Sequence, residues 1–165
     1  MITEERFEVG CNGKGKLIAD GAAIENKKDL RLGCNSGTGE LELQNSTINI
    51  KESLEVGRSG LAMVKLSEST LSAASIEIAS KVALEITLPA ESSSSVTPFV
   101  SSDVARIGGL LYIKLAGKIP SGTTQEWTLV RAKRIRGEFK RVTFPQDYSW
   151  RIEYLPDQIK VIAEN

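Results

Sequence analysis

Six cationic side chains, Arg131, Lys133, Arg134, Arg136, Lys140 and Arg141, fall within eleven residues, with Glu138 as the one acid among them. With Trp127, Phe139 and Tyr148 flanking it, such a run could engage an anionic polysaccharide, a lipopolysaccharide or a nucleic acid. The competing reading is a solvated strand face whose charges keep a sheet edge from pairing with other chains. Trp150 and Tyr154, four apart, fall on one face of a strand. Together they would make a sugar-stacking platform, or else the packing of a buried cap.

The chemistry of the remaining candidates is thinner. Cys11 and Cys34 hold the same slot in successive repeats, and stacked strands put equivalent residues about 4.8 Å apart, within reach of a disulfide. A bridge would fit an oxidising compartment; the alternative is a pair of small buried thiols in a core ladder. Two cysteines in a chain without histidine leave a tetrahedral zinc site incomplete, and no metal or other cofactor is expected. Asn12 and Asn35 also share a slot and are expected to hydrogen-bond as a ladder along the stack. Glu40 and Glu42 share a strand face, which is read as an outward one. Gly13-x-Gly15 and Gly37-x-Gly39 lack the third glycine and the helix of a dinucleotide loop. Asn45-Ser46-Thr47 matches the glycosylation pattern, which is short enough to arise by chance.

The elements that must position these residues come from a repeat. Phe-Glu-Val-Gly-Cys-Asn at Phe7–Asn12 returns as Leu-Arg-Leu-Gly-Cys-Asn at Leu30–Asn35 and as Leu-Glu-Val-Gly-Arg-Ser at Leu54–Ser59. It returns more loosely as Ile-Glu-Ile-Ala-Ser at Ile76–Ser80. A fixed period of about 23 residues marks a solenoid. Each unit has an alternating strand, a glycine, a polar corner, a second alternating strand such as Leu41-Glu42-Leu43, a small turn, and a third segment such as Thr47-Ile48-Asn49-Ile50. Three short strands per coil predict an all-β, single-stranded parallel β-helix whose units must stack to bury their apolar sides.

The predicted organisation is β-helix repeats over 1–88, a Ser/Pro-rich loop or linker over 89–106, and C-terminal β coils with a strand-rich cap over 107–165, continuous with the same solenoid. Six of the nine aromatic residues lie from Trp127 onward, as a cap closing the open end of the stack would need. The chain has 165 residues, 21 basic and 21 acidic, and net charge zero. That balance argues against dedication to nucleic acid or membrane surfaces, and no stretch approaches the ~20 apolar residues of a membrane span. The absence of histidine removes the commonest general base.

The tail carries a resemblance. Ile107-Gly108-Gly109-Leu110-Leu111-Tyr112-Ile113-Lys114-Leu115 is followed by Trp127-Thr128-Leu129-Val130, by Ile135-x-Gly137-x-Phe139, and by Trp150-x-Ile152-x-Tyr154. This resembles the end of the β-helical passenger segments of autotransporter-like, β-strand-repeat secreted bacterial proteins, and the preceding repeats resemble theirs. The resemblance implies an extracellular or cell-surface stalk or adhesive segment without catalytic activity, partnered by surface glycans or by other copies of itself. The chain departs from that pattern in lacking a secretion signal, a translocator barrel and a sorting tail. Either it is a segment of a longer protein or it is not exported. The expected function is thus a non-catalytic structural or adhesive segment. The alternative is a carbohydrate-binding module for acidic polysaccharide using Arg131, Lys133, Arg134, Arg136, Trp150 and Tyr154. A polysaccharide-degrading enzyme ranks last, because Asp20, Asp29, Asp103, Asp147 and Asp157 are dispersed.

Overall fold

A computed structural model describes residues 1–92 and 96–165. The chain winds into a β-solenoid with coils of roughly 24 residues, with no helix among the described residues. Each turn lays one strand on each of three parallel sheets. The first turn holds β1 (Ile2–Thr3), β2 (Phe7–Val9) and β3 (Lys14–Asp20). The second holds β4 (Ala23–Asn26), β5 (Leu30–Leu32) and β6 (Thr38–Gln44). The third holds β7 (Thr47–Ile50), β8 (Ser53–Val56) and β9 (Leu61–Ser67). The fourth holds β10 (Thr70–Ala73), β11 (Ser75–Ile78) and β12 (Val82–Pro89). The fifth holds β13 (Phe99–Ser101), β14 (Val104–Arg106) and β15 (Leu110–Ala116), and the last β16 (Thr124–Arg131), β17 (Arg134–Arg136) and β18 (Arg141–Thr143). We call the sheets that begin with β1, β2 and β3 the first, second and third faces.

Strand register places like residues over like. Ile24, Ile48, Leu71, Phe99 and Val130 form an inward column on the first face. Leu30, Leu54, Ile76, Ala105 and Ile135 form one on the second. Leu17, Leu41, Val64, Leu84, Leu111 and Val142 form one on the third. The columns meet in one apolar core running the length of the stack. This is why the pattern repeats by coil: no single turn could bury its inward residues alone.

The corners are set by backbone conformations the sequence marks. Gly10, Gly33 and Gly57 follow the second-face strand with φ of 67°, 60° and 68°, a region costly for residues with a Cβ. A Cβ at Gly33 would also collide with the Leu61 carbonyl oxygen of the next coil. At the corner from third to first face, Ser46 and Ser69 make a buried ladder. The Ser69 hydroxyl accepts from the Ser46 amide, and the Ser46 hydroxyl accepts from the Ala22 amide, each at 3.0 Å. Backbone groups that no strand ladder reaches are satisfied there.

The stretch 89–106 differs from the sequence expectation. Ser93, Ser94 and Ser95 of the anticipated loop lie outside the described residues, but the chain is back in the coil by Phe99. β13 and β14 therefore belong to the solenoid. At three residues each they are too short for alternation to show, and the polar run Ser101-Ser102-Asp103, which ends β13 and leads into β14, reads as loop. The stretch 104–116 holds two elements, β14 and β15, divided at Gly108-Gly109, where Gly109 has φ 83° and turns the corner.

The C-terminal end is closed by a hairpin. β19 (Ser149–Tyr154) and β20 (Gln158–Glu164) pair antiparallel, and β20 pairs antiparallel with β16. Both sides of β20 are largely covered: Ile159, Val161, Ile162 and Ala163 are buried. The Ile135 amide donates to the Pro156 carbonyl at 2.8 Å and the Ala132 amide to that of Asp157 at 2.9 Å, so the hairpin's tip reaches β17, the last strand of the second face. Trp127 is buried beneath it and donates its indole N–H to the Pro89 carbonyl at 3.1 Å.

Candidate functional site

The six cationic residues wrap the last coil. Arg131 ends β16, Lys133 sits in the corner, and Arg134 and Arg136 point out from β17. Lys140 lies in the next corner and Arg141 opens β18. All six side chains are exposed. Alternation explains this: Ile135 between Arg134 and Arg136 points to the core, so its neighbours cannot.

Register adds a cation that linear spacing hides. Arg106 of β14 is the direct neighbour of Arg136 in β17, about 4.8 Å away between strands. Arg106 lies thirty positions upstream, so only the coil brings it to the band. With Asp103, Val104, Lys133 and Arg134, these two arginines line a shallow groove of about 290 Å³.

The second face shows how unusual this end is. Its central outward row reads Glu8, Arg31, Glu55, Glu77, Arg106, Arg136. In the lower coils the row is an ion-pair ladder: Arg31 lies 4.0 Å from Glu8 and 3.0 Å from Glu55, and Arg58 lies 3.3 Å from Glu55. Nearby, Lys16 bridges Glu40 and Glu42 at 3.5 and 3.1 Å. The hydrogen bond and charge of Lys16 hold the Glu42 carboxyl below the usual carboxylate range. Those two carboxylates are thus paired on the outer surface. Among the described residues, none of Arg106, Arg131, Lys133, Arg134, Arg136, Lys140 and Arg141 makes an ion pair. Six cations against Glu138 leave +5 over residues 131–141, and since the whole chain is neutral the remaining residues carry −5.

The aromatic pair is placed differently. Trp150 and Tyr154 do share a strand face, but it is the inner face of the hairpin. The Trp150 ring stacks on Phe144 with centroids 5.1 Å apart and on Trp127 at 5.9 Å, and Tyr148 meets it edge-on at 6.2 Å. Tyr154 packs against Phe139 at 6.4 Å, and its hydroxyl accepts the Phe139 amide at 3.3 Å. Burial raises the pKa of that hydroxyl above the ordinary tyrosine value. Both rings are part of the cap's packing. Alternation tells which residues share a face, but not which way the face points.

At the other end, Cys11 and Cys34 are joined as a disulfide, their Cα atoms 4.1 Å apart. Glu8 lies close enough to make three potential donors within 4.8 Å, but sulfurs bonded to each other offer no thiolate to a metal. Beside them Asn35 donates its side-chain amide to the Asn12 side-chain oxygen at 3.3 Å, and the Asn35 backbone amide donates to the Ser59 hydroxyl at 2.9 Å. The ladder therefore runs through three coils. The dispersed aspartates stay apart by coil: Asp20 ends β3, Asp29 and Asp103 occupy corners of the second and fifth turns, and Asp147 and Asp157 lie in the cap's loops. Compared with protein-family models, with curated proteins and with solved structures, the chain matches none.

Proposed function

We propose that this chain is a non-catalytic structural module, a stiff stalk or adhesive segment of a secreted or cell-surface protein. The observation that carries the reading is the uninterrupted stacking of inward columns from Leu17 to Val142. A rod built this way spends its sequence on side-by-side repetition, not on one cleft. Two further features support it. Glu8, Glu40, Glu42 and Glu55 of the lower coils stand in ion pairs on open sheet faces, where a general acid would have no dry pocket. A disulfide between successive coils fits an oxidising compartment, and so an exported protein.

The test is incubation of the purified chain with neutral and acidic polysaccharides, followed by polymer sizing and reducing-end assay. Unchanged polymers are expected. A drop in chain length that tracks the protein through purification would overturn the non-catalytic reading.

A further inference from the structure

On the second face, acid and base alternate in register over the lower coils and then stop alternating. Arg106 and Arg136 are direct cross-strand neighbours with the same charge, an arrangement that costs stability on its own. Arg134 lies two residues from Arg136 on the same side of β17, about 6.6 Å along the strand. Lys133, beside the groove, and Arg131, Lys140 and Arg141 on either side extend the positive charge around the coil. These groups are exposed, and among the described residues none of them closes an ion pair, although Glu77 is the other cross-strand neighbour of Arg106 and Asp103 lines the groove. Such a surface is set up for an anion from outside the chain.

The form of that anion follows from the geometry. The arginines stand on an open lattice of backbone positions on the sheet, spaced about 4.8 Å between strands and 6.6 Å along one. This suits a linear polymer that repeats a charged group along its length more than a single small anion in a pocket. Guanidinium is matched to carboxylate by paired, parallel hydrogen bonds. Single-stranded nucleic acid would want exposed aromatic rings for its bases. The nearby Trp127 and Phe139 are buried, and Tyr148 packs edge-on against Trp150. We infer that the band of Arg106, Lys133, Arg134 and Arg136, flanked by Arg131, Lys140 and Arg141, binds a linear acidic polysaccharide through its carboxylates. This rests on the non-catalytic reading, since the polymer is held and not cut.

The experiment is a binding titration of the full chain with polygalacturonate, alongside neutral dextran and oligo-dT of similar length. Micromolar-range binding of polygalacturonate and none of dextran is expected. With about four charge contacts, raising salt from 50 to 200 mM weakens binding by roughly 50-fold. Arg134→Glu/Arg136→Glu is expected to lose at least tenfold in affinity. Lys51→Glu/Lys81→Glu, which reverses exposed charges on other coils, is expected to stay within twofold. Because the reversed arginines are at a sheet edge, Arg106→Ala on the inner strand serves as a second variant, expected to weaken binding severalfold. Absence of polygalacturonate binding overturns the site, as does equal loss in both charge-reversal variants. Tighter binding of oligo-dT overturns the polymer class. Shortening of the recovered polygalacturonate would instead refute the non-catalytic reading while leaving the site in place, so the two failures are distinct.

Discussion

Reducing the Cys11–Cys34 bond should loosen one end of the rod and leave the rest intact. In a stacked solenoid each coil gains its stability from its neighbours, and within this chain the first coil packs on one side only. Its strands β1 and β2 are two and three residues long, and Phe7, Leu17 and Ala19 are only partly buried. The disulfide ties that coil to the second across a separation of 23 residues. By loop-closure entropy, a constraint of that length is worth about 3.4 kcal/mol, or about 300-fold in an opening equilibrium. Hydrogen exchange read by mass spectrometry, with and without a phosphine reductant, measures this peptide by peptide. Peptides within residues 2–20 should lose protection by up to that factor, and those covering β12 and β15 should change little. Cys11→Ser/Cys34→Ser should reproduce the pattern without reductant. Equal loss along the whole chain, or none in the first coil, would refute the reasoning, because either result means that coil stability is not local.

Two other perturbations probe the ends of the stack. Burial raises the Asp29 carboxyl's pKa, but the Ser53 hydroxyl and amide, Arg6 and Arg31 outweigh it and hold the group below its ordinary value of 3.8. A depressed folded pKa contributes stability above the unfolded value, and that contribution is lost as pH falls through the folded one. Thermal melts should therefore show an acid-dependent loss below about pH 4 that Asp29→Asn flattens; an unchanged acid limb in the variant would count against the assignment. At the opposite end, Trp150→Ala should cost about 3 kcal/mol in urea unfolding and alter the near-UV spectrum of the cap. Its indole N–H has no protein acceptor, so the loss is of packing alone. A cost below about 1 kcal/mol would mean that the ring is not part of the cap's core.

The coil was legible because its cause is local and repeated. Leu30-Arg31-Leu32 and Leu54-Glu55-Val56 each announce one inward pair, and Gly33 and Gly57 each announce one corner, so a misread unit is corrected by the next. The first two strands of the fifth turn were not legible because the period breaks there. The sequence between Pro89 and Phe99 stretches the coil, and β13 and β14 carry too few inward residues to show alternation. Linear spacing also found the cations of residues 131–141, which neighbour each other along the chain. It missed Arg106, whose neighbour in space is a coil away. A reading that wrote the coils one above another, with Glu77, Arg106 and Arg136 in one column, would have found it. The orientation of Trp150 needed the hairpin itself, because a strand at the end of a stack can turn either side to the core.

The arginines of β17 invite one more separation of causes. Charges on an exposed edge discourage pairing with other chains, and for that purpose any cation serves, since the penalty comes from burying charge against another sheet. Holding a row of carboxylates asks for more, because the planar fork donates two parallel hydrogen bonds where an ammonium acts as a point charge. Replacing Arg106, Arg134 and Arg136 together by lysine keeps every charge and changes only the fork. If the band is edge protection alone, the variant keeps the parent chain's oligomeric state and polygalacturonate affinity, such as it is, does not move. If the band recognises carboxylates, the variant also keeps that state, but affinity for polygalacturonate falls severalfold while the salt dependence keeps its slope, because the number of charges is the same. New self-association with unchanged affinity would contradict both accounts at once, since it would make the guanidinium itself, and not its charge, the protector of the edge.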